Sequence, residues 1–331
     1  MTCQYDRQIY YTAAGRTIFI DACDDWSYQA ISQVFAGWFL NPIHDKAEPQ
    51  PDLTLRVRCG VPAPVVPVGL SRFEITNSGV CHTDNQSYYL KFDESLIVFG
   101  PGEANEVELW VDQPYDVSSR SVAQLISHAL SPGLRRCGIF EIHSAAVIPP
   151  GDKQAILIAG PSGSGKSTLT SQLASCGWDY LSDDILLLLR DADEIRLNAF
   201  RRFFALTAET IAAVQLPQLT LKAGDLGVKA RVTPEDHFQT SPVQQSTPHS
   251  IIFPGITSET QSKLVSLSPA GAMTRLLRLC PWASYDKPTS KEHLGVLGKL
   301  AHTVSAFDLL GGTDVLRAPK RVADMILDAT H

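Results

Sequence analysis

Residues 159–189, AGPSGSGKSTLTSQLASCGWDYLSDDILLLL, decide how this chain folds. Gly160-Pro-Ser-Gly-Ser-Gly-Lys-Ser167 fills each fixed position of the G-x-x-x-x-G-K-[ST] phosphate-loop pattern. The apolar run Gln154–Ala159 before it reads as a strand, and Lys166 to about Ser175 as a helix stopped near Gly177. That order gives the pattern a physical meaning. The glycines let backbone N–H groups converge on phosphate oxygens, and the helix dipole adds to their field. Lys166 neutralises the β and γ phosphates, and Ser167 can ligate magnesium. The expected nucleotide contacts are Gly160, Ser162, Gly163, Ser164, Gly165, Lys166, Ser167 and Thr168, with ATP and Mg²⁺ as the ligands.

Asp183 and Asp184 follow Lys166 by only seventeen and eighteen residues, at the mouth of an apolar strand, Ile185–Leu189. Neighbouring strand residues point to opposite faces, so the two acids are expected to do different work. One holds magnesium, directly or through water; the other takes a proton from an acceptor hydroxyl during in-line transfer. A pair of strand-end carboxylates facing water is the plainer alternative. Upstream, Phe140–Ile148, the turn Pro149–Lys153 and Gln154–Ala159 predict an antiparallel hairpin. It carries His143, seventeen residues before Gly160, towards the γ-phosphate region, unless that histidine is simply packed on its strand. Arg201, Arg202, Lys229 and Arg231 are the downstream cations available to neutralise transition-state charge.

Composition narrows the functional class. The net charge of -7 arises from 35 acids and 28 lysines and arginines, without a basic run that would track a polyphosphate backbone, so nucleic acid is not an expected partner. Met1–Arg7 lacks the basic-then-apolar order of a secretory signal, and no apolar block approaches the length of a membrane span. A cytoplasmic protein with no membrane partner is expected. The 7 cysteines, Cys3 included, are odd in number and never paired as CxxC, which argues against a disulfide framework or a zinc site and for buried or incidental thiols.

With 331 residues and 44% hydrophobic content, the chain can bury a sizeable core in one large or two ordinary domains. The first hundred residues read as short strands, among them Arg16–Asp21, Asp52–Val57, Ser87–Phe92 and Leu96–Gly100, interrupted by a helix over Ser27–Phe39 and by a proline-rich stretch, Val61–Val68, that reads as an exposed loop or edge. Near Gln113–Asp116 the pattern changes to an amphipathic helix over Ser118–Leu130. The expected division is therefore a β-rich α+β N-terminal domain, 1–115, a candidate substrate-selecting module, followed by an α/β catalytic domain, 116–331.

His143-Ser-Ala-Ala-Val, Ala159-Gly-Pro-Ser-Gly-Ser-Gly-Lys-Ser-Thr-Leu and Leu181-Ser-Asp-Asp-Ile together resemble the HPr kinase/phosphorylase family and its HPr kinase-like relatives. These are P-loop serine kinases related in structure to phosphoenolpyruvate carboxykinase. The resemblance covers about fifty residues, 140–190, and rests on the combined spacing. It implies an α/β P-loop kinase domain of that type, Asp183 as general base, Asp184 as magnesium ligand, and a homo-oligomer. Pro161 and Thr168 stand where bifunctional members carry Asp and Glu, and the long C-terminal motif associated with phosphorolysis is not found. The look of the chain is closer to the peptide-modifying relatives, including lasso-peptide kinases, whose acceptor is a serine hydroxyl of a peptide or protein. A small-molecule hydroxyl kinase acting on free serine or a sugar, and a regulatory P-loop ATPase, remain the alternatives. Against the first stands the long β-rich region ahead of the loop; against the second, the lack of an apolar run ending in Asp after residue 190.

Overall fold

The computed structural model describes residues 8–43, 49–75, 79–100, 105–216 and 229–330. They form a mixed α/β protein with several sheets, divided into two compact units: Met1–Phe140 with Asp286–Ser290, and Glu141–Tyr285 with Lys291–His331. Cys3 and the stretch Met1–Arg7, read above for redox state and targeting, lie outside the described residues. No described helix is long and apolar enough to cross a membrane.

The first unit is built on β1 (Gln8–Ala13), β2 (Arg16–Ala22), β3 (Asn41–Ile43), β4 (Leu53–Cys59), β5 (Ser71–Ile75), β6 (Gly79–Thr83), β7 (Tyr88–Phe92), β8 (Ser95–Phe99) and β9 (Glu106–Val111). They make one sheet in the order β3-β1-β2-β4-β9-β8-β7-β6-β5. Period-two alternation sets its inner face: Ile18, Ile20 and Ala22 of β2, and Leu53, Leu55 and Val57 of β4, are buried. Two helices, α1 (Asp25–Phe35) and α2 (Arg120–Arg136), pack on this sheet. The side chain of Asp24 caps α1 by accepting the Ser27 N–H at 2.8 Å, so that helix starts earlier than its apolar spacing predicts and ends at Phe35. The proline-rich stretch Val61–Val68 lies outside the strands and is largely exposed, as expected.

Helix α2 reaches Arg136 rather than Leu130, with Pro132 inside it. Its last turn is anchored by Arg135, whose Nε donates to fully buried Asp286 at 2.9 Å. The apolar face of α2, Val122, Leu125, Ile126 and Ala129, is buried on β4 and β9. The change of sequence pattern near residue 115 thus falls inside the first compact unit, which continues through α2 to Phe140.

The second unit holds β10 (Ile139–Ile142), β11 (Ser144–Ile148), β12 (Ala155–Ala159), β13 (Asp179–Ser182), β14 (Leu186–Asp191), β15 (Glu194–Ala199), β16 (Phe204–Leu206), β17 (Ala230–Val232), β18 (Gln245–Ser246), β19 (Pro248–Ile256), β20 (Lys263–Leu267) and β21 (Ser305–Gly311); β10 carries the chain into it. Its central sheet runs β13-β11-β12-β19-β21-β20. The predicted hairpin is present, β11 pairing antiparallel with β12 from Ser144↔Ala159 to Val147↔Ile156. Because β13 is also antiparallel to β11, it runs the same way as β12, and β19 and β21 follow in parallel. The C-terminal ends of β12, β13 and β19 and the N-terminal end of β11 therefore meet along one edge of the sheet. Ligands of open α/β sheets bind at that kind of edge.

Helix α3 (Lys166–Ser175) covers one face of the sheet, with Leu169 and Leu173 buried against Ala145, Val147, Ile156 and Ile158. Val322 and Ile326 of the C-terminal helix Pro319–Thr330 join the same core. Each such aliphatic side chain contributes about 1.5–3 kcal/mol on full burial, enough to hold the start of α3 against the end of β12.

Candidate functional site

The segment between β12 and α3 is a glycine-rich loop at the sheet edge just described. Gly163 and Gly165 have φ of +82° and +95°, left-handed values that other residues adopt only with strain. They let the chain turn tightly from strand to helix. Lys166, the first residue of α3, is 5% exposed, and its Nζ donates to the carbonyl oxygens of Gly160 at 2.7 Å and Pro161 at 3.0 Å. Burial lowers its pKa to about 8; the carboxylates of Asp184 and Asp183 work against that shift, and Lys229 works with it. A buried ammonium whose acceptors are two neutral carbonyls is a site that an anion would stabilise. Ser164 places its Oγ in the same loop, buried and without a hydrogen-bond partner.

Asp183 and Asp184 do not stand on a strand. They occupy a bend between β13 and β14, made by Ser182, whose Oγ accepts the N–H groups of both Asp184 and Ile185 at 3.3 Å. That local side-chain-to-backbone bonding competes with strand pairing and delays β14 to Leu186. The divergence expected from strand alternation is observed, but the bend produces it. Asp183 turns inward and is fully buried, with Oδ2 accepting the Ala205 N–H at 2.8 Å and Oδ1 unpartnered. Burial, together with the charge of Asp184, pushes its carboxyl up to about 7.

Asp184 turns the other way. Its Oδ1 lies 2.8 Å from His143 Nε2 and its Oδ2 accepts from an Arg201 nitrogen at 2.6 Å. Burial alone would raise its pKa, but the hydrogen bond from His143 and the charge of Arg201 outweigh that and hold the carboxyl well below the usual carboxylate range. His143 sits at the bend between β10 and β11 instead of within a strand, where the Ser144↔Ala159 register brings it level with the loop.

The remaining expected residues divide. Ser167 lies in the first turn of α3 at the mouth of the loop, and Ser162 is exposed on the loop. The Thr168 hydroxyl is bonded to Thr210 Oγ1 at 2.9 Å, which ties α3 to the helix α4 (Ala208–Ala213). Of the downstream cations, Arg201 joins Asp184, and Lys229 is close enough for its charge to act on Lys166, Asp183 and Asp184. Arg231 instead stacks on the Phe203 ring at 4.8 Å. Sequence reasoning missed the Ala205 N–H and Thr210, because neither backbone donors nor cross-helix hydroxyl pairs leave a sequence signature.

No family model matches the chain, and no curated protein matches it. A solved structure, the Hpr(Ser) kinase/phosphatase from Coxiella burnetii, is similar over 57% of this chain and 95% of its own, at 12% identity and a TM-score of 0.31.

The residues of the site suit a phosphorylated ligand: a loop of left-handed glycines, a buried ammonium and an unpartnered buried hydroxyl converge at a helix start. For magnesium the hard oxygen donors at hand are Ser167 and Asp184. Among the described residues no group of three or more His, Cys, Asp or Glu side chains forms a metal cage.

Proposed function

We propose that the chain is an ATP- and magnesium-dependent kinase that transfers the γ-phosphate to a serine-type hydroxyl of a peptide or protein. The observation that carries this reading is Asp183: a fully buried carboxyl with one unpartnered oxygen and a pKa near neutrality, in the electrostatic field of the loop lysine. General bases are most effective when their pKa lies near the working pH. Asp183 accepts the hydroxyl proton as the acceptor oxygen forms its bond to the γ-phosphorus, and the bond from that phosphorus to the bridging oxygen breaks to release ADP. Lys166 and the loop N–H groups would hold the phosphates, and Ser167 and Asp184 would hold magnesium, which would supply charge neutralisation there. His143 and Arg201 fix Asp184 in place as an ionised ligand. The peptide or protein nature of the acceptor is supported by the resemblance of 140–190 to serine kinases and by the β-rich unit that precedes the site.

The test is transfer from γ-labelled ATP to candidate peptides, proteins and free serine, followed by mass spectrometry of the products. A phosphorylated serine in a polypeptide is expected. Transfer to small hydroxyl compounds alone would replace this reading with a metabolite kinase, and hydrolysis that never labels an acceptor would replace it with a regulatory ATPase.

A further inference from the structure

Along the edge that carries the loop, the acidic bend after β13 and His143 before β11 lie on one side of β12, and the end of β19 lies on the other. The last residue of β19, Ile256, is 74% exposed, exceeded among the large hydrophobic side chains of the described residues only by Val65 and Val68. It faces that loop: a side-chain carbon placed on Gly165 would stand 3.6 Å from Ile256 Cγ1, and one on Gly160 would stand 3.7 Å from Pro254 Cδ, two residues earlier in the strand. The strand end is held by Thr257, whose N–H and hydroxyl both donate to the Gly311 carbonyl, at 2.8 and 3.1 Å.

We propose that Ile256 is the platform on which the nucleobase of the phosphate donor packs, an assignment that rests on the kinase reading of the loop. If the terminal phosphate points to Asp183, the rest of the donor must leave the loop on the β19 side. Across the sheet the acidic bend and Ile256 are three strand intervals apart, about 14 Å, and Ile256 lies four residues beyond Ile252, the partner of Ile158, a further ~13 Å along the strand, so only an extended donor could span them. Apolar packing against one face of a base needs an exposed aliphatic surface, and Ile256 presents one beside Gly165, on a strand end held by Thr257.

The experiment compares binding of MgATP and of inorganic tripolyphosphate to the full chain and to its Ile256→Ser and Ile256→Val variants, by calorimetry. Tripolyphosphate has the charges of the donor and no base. Ile256→Ser is expected to weaken MgATP roughly tenfold, because the base no longer has an aliphatic surface to pack on. It should leave tripolyphosphate within about twofold and melt like the parent, while Ile256→Val keeps most of the MgATP affinity. Unchanged MgATP affinity in Ile256→Ser overturns the platform, and so does an equal loss of both ligands, which would make Ile256 a support for the loop. A parent chain that binds neither ligand overturns the phosphate-loop reading itself, a result distinct from either.

Discussion

Asp183 and Asp184 are neighbours in the chain and opposites in state. Asp183 is fully buried with Oδ1 unpartnered, whereas both oxygens of Asp184 are engaged, Oδ1 by His143 at 2.8 Å and Oδ2 by Arg201 at 2.6 Å. The same environment pushes the first carboxyl up to about 7 and holds the second ionised. Two acids driven apart in pKa can take a proton and hold a cation at one locus.

Separate substitutions distinguish those roles. Asp183→Asn keeps an oxygen for the Ala205 N–H and removes the base, so kcat is expected to fall by roughly 100- to 10,000-fold with nucleotide affinity little changed. Asp184→Asn is expected to raise the magnesium concentration needed for half-maximal activity and to weaken MgATP binding, since a neutral amide is a poorer ligand for a hard cation. Turnover measured beside MgATP and Mg²⁺ affinities decides between them. Swapped phenotypes reverse the assignment, and normal turnover in both removes it.

The pH dependence follows from two shifted groups. Asp183 must be deprotonated to act, so kcat/KM should rise with pH through about 7; Lys166, lowered to about 8 by burial, loses its charge above that value, so kcat/KM should fall again. In kcat the alkaline limb should move upward, because bound phosphate favours the charged lysine. Stability carries the other sign for Asp183. A raised folded-state pKa gives stability that is complete below the unfolded value of about 4 and is lost as pH rises through about 7. Asp183→Asn should therefore flatten the decline in Tm over that window, measured against the parent by calorimetry; an identical decline would mean that the buried carboxyl does not titrate there.

Lys166→Ala tests the loop. Saturating a parent chain with MgATP at about 100 times its Kd should add about 2.7 kcal/mol of stability, visible as a rise in Tm. The variant should fold, lose transfer by about 100-fold or more, and show little of that ligand-induced rise. A variant with near-parental turnover would remove the loop from the chemistry.

The loop, its hairpin and α3 were legible in the sequence because each is encoded locally: the short apolar run of Gln154–Ala159, glycines at fixed offsets, and Gly177 as a stop. The parallel partners β19 and β21 were not. Pro248-His-Ser-Ile-Ile-Phe-Pro-Gly-Ile256 carries two prolines and a glycine, and its pairing with β12 spans almost a hundred residues of chain, so no short-range pattern reports it. The acidic pair was legible as chemistry but not as geometry. Ser182 turns it into a bend, and the partner of Asp184, Arg201, was one cation among several until the fold set it 2.6 Å away.

Arg201 gives the sharpest test of that pairing. It is largely buried, and its charge holds Asp184 ionised together with the hydrogen bond from His143. Arg201→Met keeps much of the side-chain volume but leaves the carboxylate with His143 alone, at an expected cost of about 1–3 kcal/mol for a charged hydrogen bond broken in a buried setting. The cost should depend on pH. A carboxyl with a depressed folded-state pKa contributes stability above its unfolded value of about 4 and loses it as pH falls below that, so the parent should lose more stability than Arg201→Met between pH 7 and pH 3. A double-mutant cycle with Asp184→Asn isolates the pair from any general damage: coupling of about 1–3 kcal/mol at pH 7 that fades at pH 3 is the expected result. Strictly additive losses at both pH values would mean that Arg201 and Asp184 do not depend on each other in solution, and the fixed, ionised state proposed for Asp184 would lose its physical basis.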